Sequence, residues 1–448
     1  MNNIPPTERM ARFLWLPPGA RPKYAIPQRQ ELFLLLVGTT LLFSGYDTNV
    51  FGIALPQIQK GLHIPEDAAG LTVTYFRMAA LVALMIAPLA DIFGRRRLLL
   101  ITVFGEAIFT VASGFTQTYP QFVWLQILAR VFGYSEELLC YVVIAEEMDA
   151  RVRGWASGTL GALGATGAGV AALIFALVNV LPFGWRSMYV IGGSALFVLA
   201  YYRRKLPETE RFEIHRKELA KIGSKSAAAA RTVGLLFHEY PGRLAAMLLS
   251  VGVFFFAIGP AIVLMSKYLQ QTLHYTPGRV TILFVGGGLI SVIGNIIAGR
   301  LSDRIGRKRV LLACATICGL AFAYLYSGRE VEWVPVAWIL AVFGYFSCDT
   351  IMAGYAVEMF PTAYRATAGT LRYVVATLTG AVALAIEGVF YDHFNAHAPA
   401  ILIFLAAMPL ALIAILFLPE TSQKKLEEIS HGEGGVEIAK DAADEARI

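Results

Sequence analysis

Charge is scarce in this chain: 16% of its 448 residues are Asp, Glu, Lys or Arg, against 56% that are hydrophobic. Soluble domains carry about 25% charged and about 45–50% apolar residues. Too few polar side chains are present to cover a water-facing surface, which excludes the soluble globular and disordered classes. Cysteine is also sparse. Cys140, Cys314, Cys318 and Cys348 all lie inside long apolar runs, where they read as small buried residues rather than a disulfide framework or a metal knuckle. No Walker loop, kinase signature or nucleophile elbow occurs, so nothing points to ATP use or covalent catalysis. The first 30 residues lack the apolar core of a cleavable leader, since Phe13-Leu14-Trp15-Leu16 is too short. The first span is expected to act as an uncleaved insertion signal.

What is abundant is apolar sequence in windows of about 20 residues, the length that crosses a bilayer as a helix. Twelve spans can be drawn, at 32–57, 67–90, 98–116, 120–145, 155–181, 185–202, 243–269, 278–300, 310–327, 333–357, 366–391 and 398–418. The fold class expected is an all-α membrane protein of twelve transmembrane helices in two six-helix halves. Connections at 91–97, 151–153, 203–205, 304–309 and 424–425 are basic, and the alternate ones are nearly free of Lys and Arg. By the positive-inside rule the basic group and both termini are cytoplasmic. The formal charge of +6 is then orientation rather than a nucleic-acid footprint. The domains read as an extended N-terminal arm (1–31), a first half (32–202), a linker (203–240), a second half (241–421) and a charged tail (422–448). The linker holds a possible surface helix at Ala227–Ala230.

The halves are related. Asp91-Ile92-Phe93-Gly94-Arg95-Arg96-Arg97 recurs as Asp303-Arg304-Ile305-Gly306-Arg307-Lys308-Arg309, 212 positions later. At the same offset Glu146 with Arg153 matches Glu358 with Arg365, and Pro207-Glu208-Thr209 matches Pro419-Glu420-Thr421. Three matches without a gap indicate duplication. An acid, a turn glycine and a basic cluster can cap a helix and reach carboxylates on neighbouring helices. Asp91, Gly94, Arg95, Arg97, Glu146 and Arg153 are therefore candidates for a gating latch, with Asp303, Gly306, Arg307, Arg309, Glu358 and Arg365 as their second copy.

These loops and the six-plus-six repeat resemble the major facilitator superfamily. Gly45-Tyr46-Asp47-Thr48, the Glu/Arg pairs and the Pro-Glu-Thr ends are similar to the sugar porters and related metabolite:proton symporters within it. The resemblance implies alternating access, and it places spans one and four beside a central cavity. In some such symporters a span-one acid pairs with a span-four arginine, which matches Asp47 and Arg130. The chain departs from the sugar-porter pattern at Gly133-Tyr134-Ser135-Glu136-Glu137, where a Gly-rich run is expected. Its span seven also lacks a glutamine pair for sugar hydroxyls.

Intramembrane charges are costly and mark candidate sites. Asp47, Arg77 and Arg130 each lie ten residues inside their spans, about 15 Å deep at 1.5 Å per residue. Asp47 and Arg130 are expected to couple protons, and Glu136 and Glu137 are further proton candidates because adjacent carboxylates resist joint ionisation in an apolar setting. Arg77 and Asn295 are the substrate candidates; two arginines against one aspartate would suit a carboxylate. Lys267 and Arg372 lie near span ends and are expected to reach water, while Glu106, Asp349 and Glu387 read as buried polar contacts. Gly161, Gly164, Gly167 and Gly169 point to close helix packing. His393 and His397 have i, i+4 spacing in an expected outer loop but no fuller ligand set, so no metal or cofactor is expected.

The function expected is proton-coupled import of a small organic solute, an organic acid favoured over a sugar, by a monomer in the inner or plasma membrane. A proton-driven exporter of the same fold and a non-transporting solute sensor are the rivals; catalysis is not expected.

Overall fold

The computed structural model describes residues 10–16, 21–22, 24–86, 89–148, 152–204, 234–328, 331–361 and 364–421. The Pro-Glu-Thr at 207–209, the Ala227–Ala230 run and the tail from 422 lie outside them. The main helices are α1 (Gln28–Ile53), α2 (Leu55–Leu62), α3 (Ala68–Ile86), α4 (Ala90–Phe93), α5 (Arg95–Ser113), α6 (Tyr119–Glu147), α7 (Arg153–Phe175) and α8 (Trp185–Arg203). After 234 come α9 (Pro241–Gln271), α10 (Pro277–Ile305), α11 (Arg307–Tyr326), α12 (Val334–Glu358), α13 (Arg365–Phe394), α14 (His397–Leu405) and α15 (Met408–Leu416).

Among the described residues, seven helical segments are long and apolar enough to cross a membrane: α3, most of α7, α9, α11, most of α12, most of α13, and α14 with α15. Helices α1, α5, α6, α8 and α10, each of 19 residues or more, occupy the other five expected positions. The protein is an all-α integral membrane protein. Two spans are broken. The first ends at Ala54, and α2 restarts with Pro56 in its first turn; the last restarts after Ala407 with Pro409 in the same place. A proline there costs no helix hydrogen bond, because that N–H has no partner within the helix anyway.

Two compact units are formed. The first comprises Met1–Pro65, Tyr75–Gly223 and Tyr275–Thr281, and the second Glu66–Thr74, Ser224–His274 and Ile282–Ile448. In the first, α1 lies on α7 at backbone distance, because Gly45 and Gly167 carry no side chain. A Cβ on Gly45 would stand 2.2 Å from the Gly164 carbonyl oxygen, and one on Gly167 2.1 Å from that of Leu42. This is the packing that the glycine spacing predicts. On its other side Tyr46 packs over Gly192 and donates its hydroxyl to the Met188 carbonyl at 2.8 Å. These contacts fix the rotation of α1, and with it the direction of Asp47.

The N-terminal arm departs from the extended segment expected. Ala11 N–H bonds the Ile26 carbonyl at 2.9 Å, and Phe13 and Ile26 are buried, Phe13 edge-on to Trp155 at 5.2 Å. Arg203 and His393, expected in loops, instead end α8 and lie in the last turn of α13.

In the second unit α9 packs on α13, where Gly259 faces Gly380, and Tyr326 of α11 donates to the Ala261 carbonyl at 2.6 Å. Trp338 Nε1 of α12 donates to the Leu283 carbonyl of α10 at 2.9 Å.

Candidate functional site

The first unit holds a buried polar cluster around Asp47. Asp47 is 1% exposed and Arg130 3%. Arg130 Nη1 lies 3.8 Å from Asp47 Oδ2, a charge contact too long for a hydrogen bond. Arg130 Nη2 donates instead to the carbonyls of Asp47 (3.0 Å) and Thr48 (3.2 Å), and its guanidinium lies 5.8 Å from the centre of the Phe76 ring. Asp47 Oδ1, Arg130 Nε and Nη1, Thr110 Oγ1 and the Tyr189 hydroxyl are buried with no hydrogen-bond partner among the described residues. Thr110 sits beside the Asp47 carboxylate, and Tyr189 feels the charges of both Asp47 and Arg130. Buried polar atoms are nearly always bonded, so five unsatisfied ones together make this cluster a candidate site.

Glu106, read from the sequence as a buried polar contact, belongs to this cluster. It is buried on α5, accepts a 2.6 Å hydrogen bond from Ser44, and feels the charges of Asp47, Glu136 and Arg130. Gly133 makes room for it, since a Cβ there would be 2.9 Å from Glu106 Oε1. The glycine of the departing Gly133-Tyr134-Ser135 stretch thus has a local reason. With Glu106 present, two arginines no longer face a single acid.

Glu136 and Glu137 have different surroundings. Glu136 is fully buried in an ion pair with Arg203, and also meets Thr102 (2.5 Å) and Cys140 Sγ (3.2 Å). Glu137 is partly exposed on the same helix, with no hydrogen bond or ion pair to a described residue. Arg77, half-buried on α3, also has no hydrogen bond or ion pair to a described residue, and it shares with Arg130 an electrostatic influence on Tyr134. The side chain of Asn295 lies outside the described residues.

Neither Lys267 nor Arg372 reaches out to water alone. Lys267 is 1% exposed and ion-paired with Glu66, and Arg372 Nη1 meets Asp349 Oδ1 at 2.6 Å. Although near span ends, both are covered by neighbouring helices, and each takes an acid from another element. Glu387 bonds His397, which therefore faces a carboxylate rather than His393.

The duplicated loops share a backbone device. Gly94 and Gly306, each just before a span, have φ of 96° and 118°, a region L-residues avoid. In the second copy Glu420 accepts the N–H groups of Arg307 (2.8 Å) and Lys308 (3.3 Å), so the Pro-Glu-Thr end caps α11. Arg307 pairs with Glu358 at 2.6 Å, and Thr421 donates to Glu358 at 2.7 Å. Arg365 Nε bonds the Phe360 carbonyl at 3.2 Å, and Arg309 is exposed. In the first copy Arg95 Nη1 donates to the Ala90 carbonyl at 2.9 Å and Arg97 is exposed. The side chains of Asp91, Glu146, Arg153 and Asp303 lie outside the described residues.

The chain is similar to curated transporters over most of its length. It is 25% identical to a "Probable 4-methylmuconolactone transporter" of Cupriavidus pinatubonensis over 94% of this chain and 96% of that one. It is 25% identical to a cis,cis-muconate transport protein of Acinetobacter baylyi (80% and 87%), and 26% to a gallate transporter of Pseudomonas putida (75% and 80%). Among solved structures it resembles a D-xylose-proton symporter with a TM-score of 0.71 at 17% identity, covering 88% of this chain and 98% of that one; the likeness is one of fold. The family model of the Major Facilitator Superfamily matches twice, over residues 37–261 and 244–443. Spans in two sets of six, a duplicated acid-glycine-arginine loop and this double match lead to one conclusion: the chain belongs to the major facilitator superfamily and is a membrane transporter, not an enzyme.

Proposed function

We propose that this transporter carries a small organic acid into the cell together with a proton. The observation that carries this reading is the under-bonded, buried pair Asp47 and Arg130, with Glu106 beside it. Two carboxylates close to one guanidinium leave one negative charge, which a proton balances. Burial favours the neutral form of an acid and a cation within reach favours the charged form. A small displacement of Arg130 therefore changes how tightly the proton is held; one pKa unit corresponds to about 1.4 kcal/mol. Rocking of the two halves between access states would supply such displacements, as in other transporters built from repeats. Asp47 is then the coupling carboxylate, Arg130 its partner and Glu106 the acid sharing the load.

Arg77 is the cation for the substrate. A half-buried guanidinium with no acidic partner among the described residues is suited to receive a carboxylate in two parallel hydrogen bonds. Two relatives carry muconate and gallate by name, both carboxylates, which supports the same substrate class here. In this reading the termini and basic loops face the cytoplasm of a cell whose inner or plasma membrane holds the protein, and Arg307 with Glu358 fastens the loop end of the second half between strokes.

Asp47→Asn in proteoliposomes tests the coupling. Accumulation against a gradient should be abolished, while exchange of labelled for unlabelled substrate continues, since exchange requires no proton release. Loss of both activities in a stable protein would sink the assignment. Candidate substrates come from a thermal-shift screen of aromatic and aliphatic acids against their amides and against sugars, because a bound ligand stabilises by mass action.

A further inference from the structure

A second cluster of ionisable groups lies in the second unit, apart from Asp47 and Arg130. Lys267 of α9 is ion-paired with Glu66, in the turn before α3. His397, the first residue of α14, lies between two carboxylates: Nδ1 is 2.7 Å from Glu387 Oε1 and Nε2 is 3.4 Å from Glu66 Oε2. Glu387 is fully buried on α13, and its Oε2 has no hydrogen-bond partner among the described residues. The imidazole stacks on Tyr391 with ring centres 4.3 Å apart. Asp67 from the turn and Asp392 from α13 add negative charge near Tyr391, and Tyr326 of α11 lies near Glu387. Hydrogen bonding to His397, aided by Lys267 and opposed by burial, holds the Glu66 carboxyl down at about 2. Glu66 is thus ionised at any working pH.

The hydrogens do not balance without one more proton. A neutral imidazole has one N–H and one lone pair. It can donate to one of its two carboxylates, and the other then meets a lone pair. Both contacts become hydrogen bonds if the imidazole is doubly protonated, or if Glu387 is protonated and donates to Nδ1 while Nε2–H donates to Glu66. Charge gives the same answer, since Lys267 offsets Glu66 and leaves Glu387 with His397 alone.

The cluster also holds residues 66–74 in place. Gly70 lies against α13, where a Cβ would stand 2.3 Å from the Leu384 carbonyl oxygen and 3.2 Å from Glu387 Oε2. Thr74 donates to the Ala381 carbonyl at 2.8 Å. We propose that His397 and Glu387 form a second proton-binding site, and that the proton held there fastens residues 66–74 to α13 and α14. When it leaves, the neutral imidazole can donate to only one of the two carboxylates, so one of the two links is lost and the start of α3 is released.

The experiment is cysteine accessibility in the full-length protein in nanodiscs. The native cysteines described are buried. Thr72, buried in the seated segment, is replaced in Thr72→Cys, and exposed Lys60 in Lys60→Cys serves as the reference that removes the intrinsic pH dependence of thiol labelling. The ratio of maleimide labelling rates, Thr72→Cys over Lys60→Cys, should rise at least tenfold between pH 6 and pH 8.5. With His397→Gln or Glu387→Gln added, it should change less than twofold over that range. A flat ratio in the otherwise native protein overturns the proposal, as does a step that survives in either variant eluting as a folded species. Two variants are used so that one failing to fold leaves the other to decide.

Discussion

Glu136 and Arg203 offer the sharpest test of which intramembrane charges hold the fold and which serve transport. Both are buried, and every Glu136 oxygen is occupied: Oε1 by Arg203 Nη1 and Cys140, Oε2 by Thr102. Removing one partner of a buried ion pair costs about 3–5 kcal/mol, because the other charge stays buried without compensation. Arg203→Met should therefore destabilise by about that amount. Glu136→Leu, which leaves Arg203 buried without an acid, should cost about the same. Replacing both by apolar residues removes two desolvation penalties along with the attraction, which is often neutral or stabilising. The double variant Glu136→Leu, Arg203→Met should then lie within about 1 kcal/mol of the wild type, a coupling of about 3 kcal/mol or more between the sites. Denaturant titration of the purified protein in mixed micelles measures all three. Single effects below about 1 kcal/mol that simply add would refute the reasoning. Transport separates the roles: the double variant should still accumulate substrate, and a stable double variant that exchanges but cannot accumulate would put Glu136 on the proton path.

Gly306→Ala should lower stability by about 1–3 kcal/mol, because φ of 118° is strained for any side chain and the new Cβ would stand 2.7 Å from Glu420 Oε2; thermal unfolding measures it. Glu420→Gln keeps the size but removes the negative charge at the α11 N-terminus, and should cost about 1 kcal/mol. Glu66 is held at about 2 against an ordinary 4.5, so its stabilising contribution is complete above 4.5 and is lost as pH falls toward 2; the unfolding midpoint should fall more steeply with acid below pH 4.5 in the wild type than in Glu66→Gln. In intact cells Lys60→Cys should react with an impermeant maleimide and Ser224→Cys should not; the reverse result would invert the assigned orientation.

The fold was legible because the bilayer imposes a length. A polar backbone group cannot be left bare in hydrocarbon, so each apolar run of the required length has to be helical, and the helices end within a few residues of the runs. The duplicated loops were legible for a local reason, since Gly94 and Gly306 occupy a backbone conformation that other residues resist. The Asp47 and Arg130 approach was legible from their common depth together with the family resemblance, which pairs a span-one acid with a span-four arginine; depth alone offered Arg77 equally. The N-terminal arm was misread for the opposite reason: its prolines and arginines suggest an extended segment, and only tertiary contact shows Phe13 packed on Trp155.

Partner choice across long separations had no such local signal. Arg203 was counted among the loop cations because it adjoins Arg204 and Lys205, yet it turns inward to an acid 67 positions earlier, while Lys267 meets an acid 201 positions earlier. The cost of burying Glu136 was visible in the sequence; the cation that meets that cost was not. The same gap hid the partner of Glu106, which carries no basic neighbour at helical spacing and accepts from Ser44 on another helix. An intramembrane acid with no cation within a turn of it therefore has to find a hydroxyl, a distant arginine or a proton. In this chain each solution occurs: Ser44 for Glu106, Arg203 for Glu136, and, on the reading proposed above, a proton for Glu387. Sorting these solutions by experiment separates the residues that hold the helices together from those that move charge across the membrane.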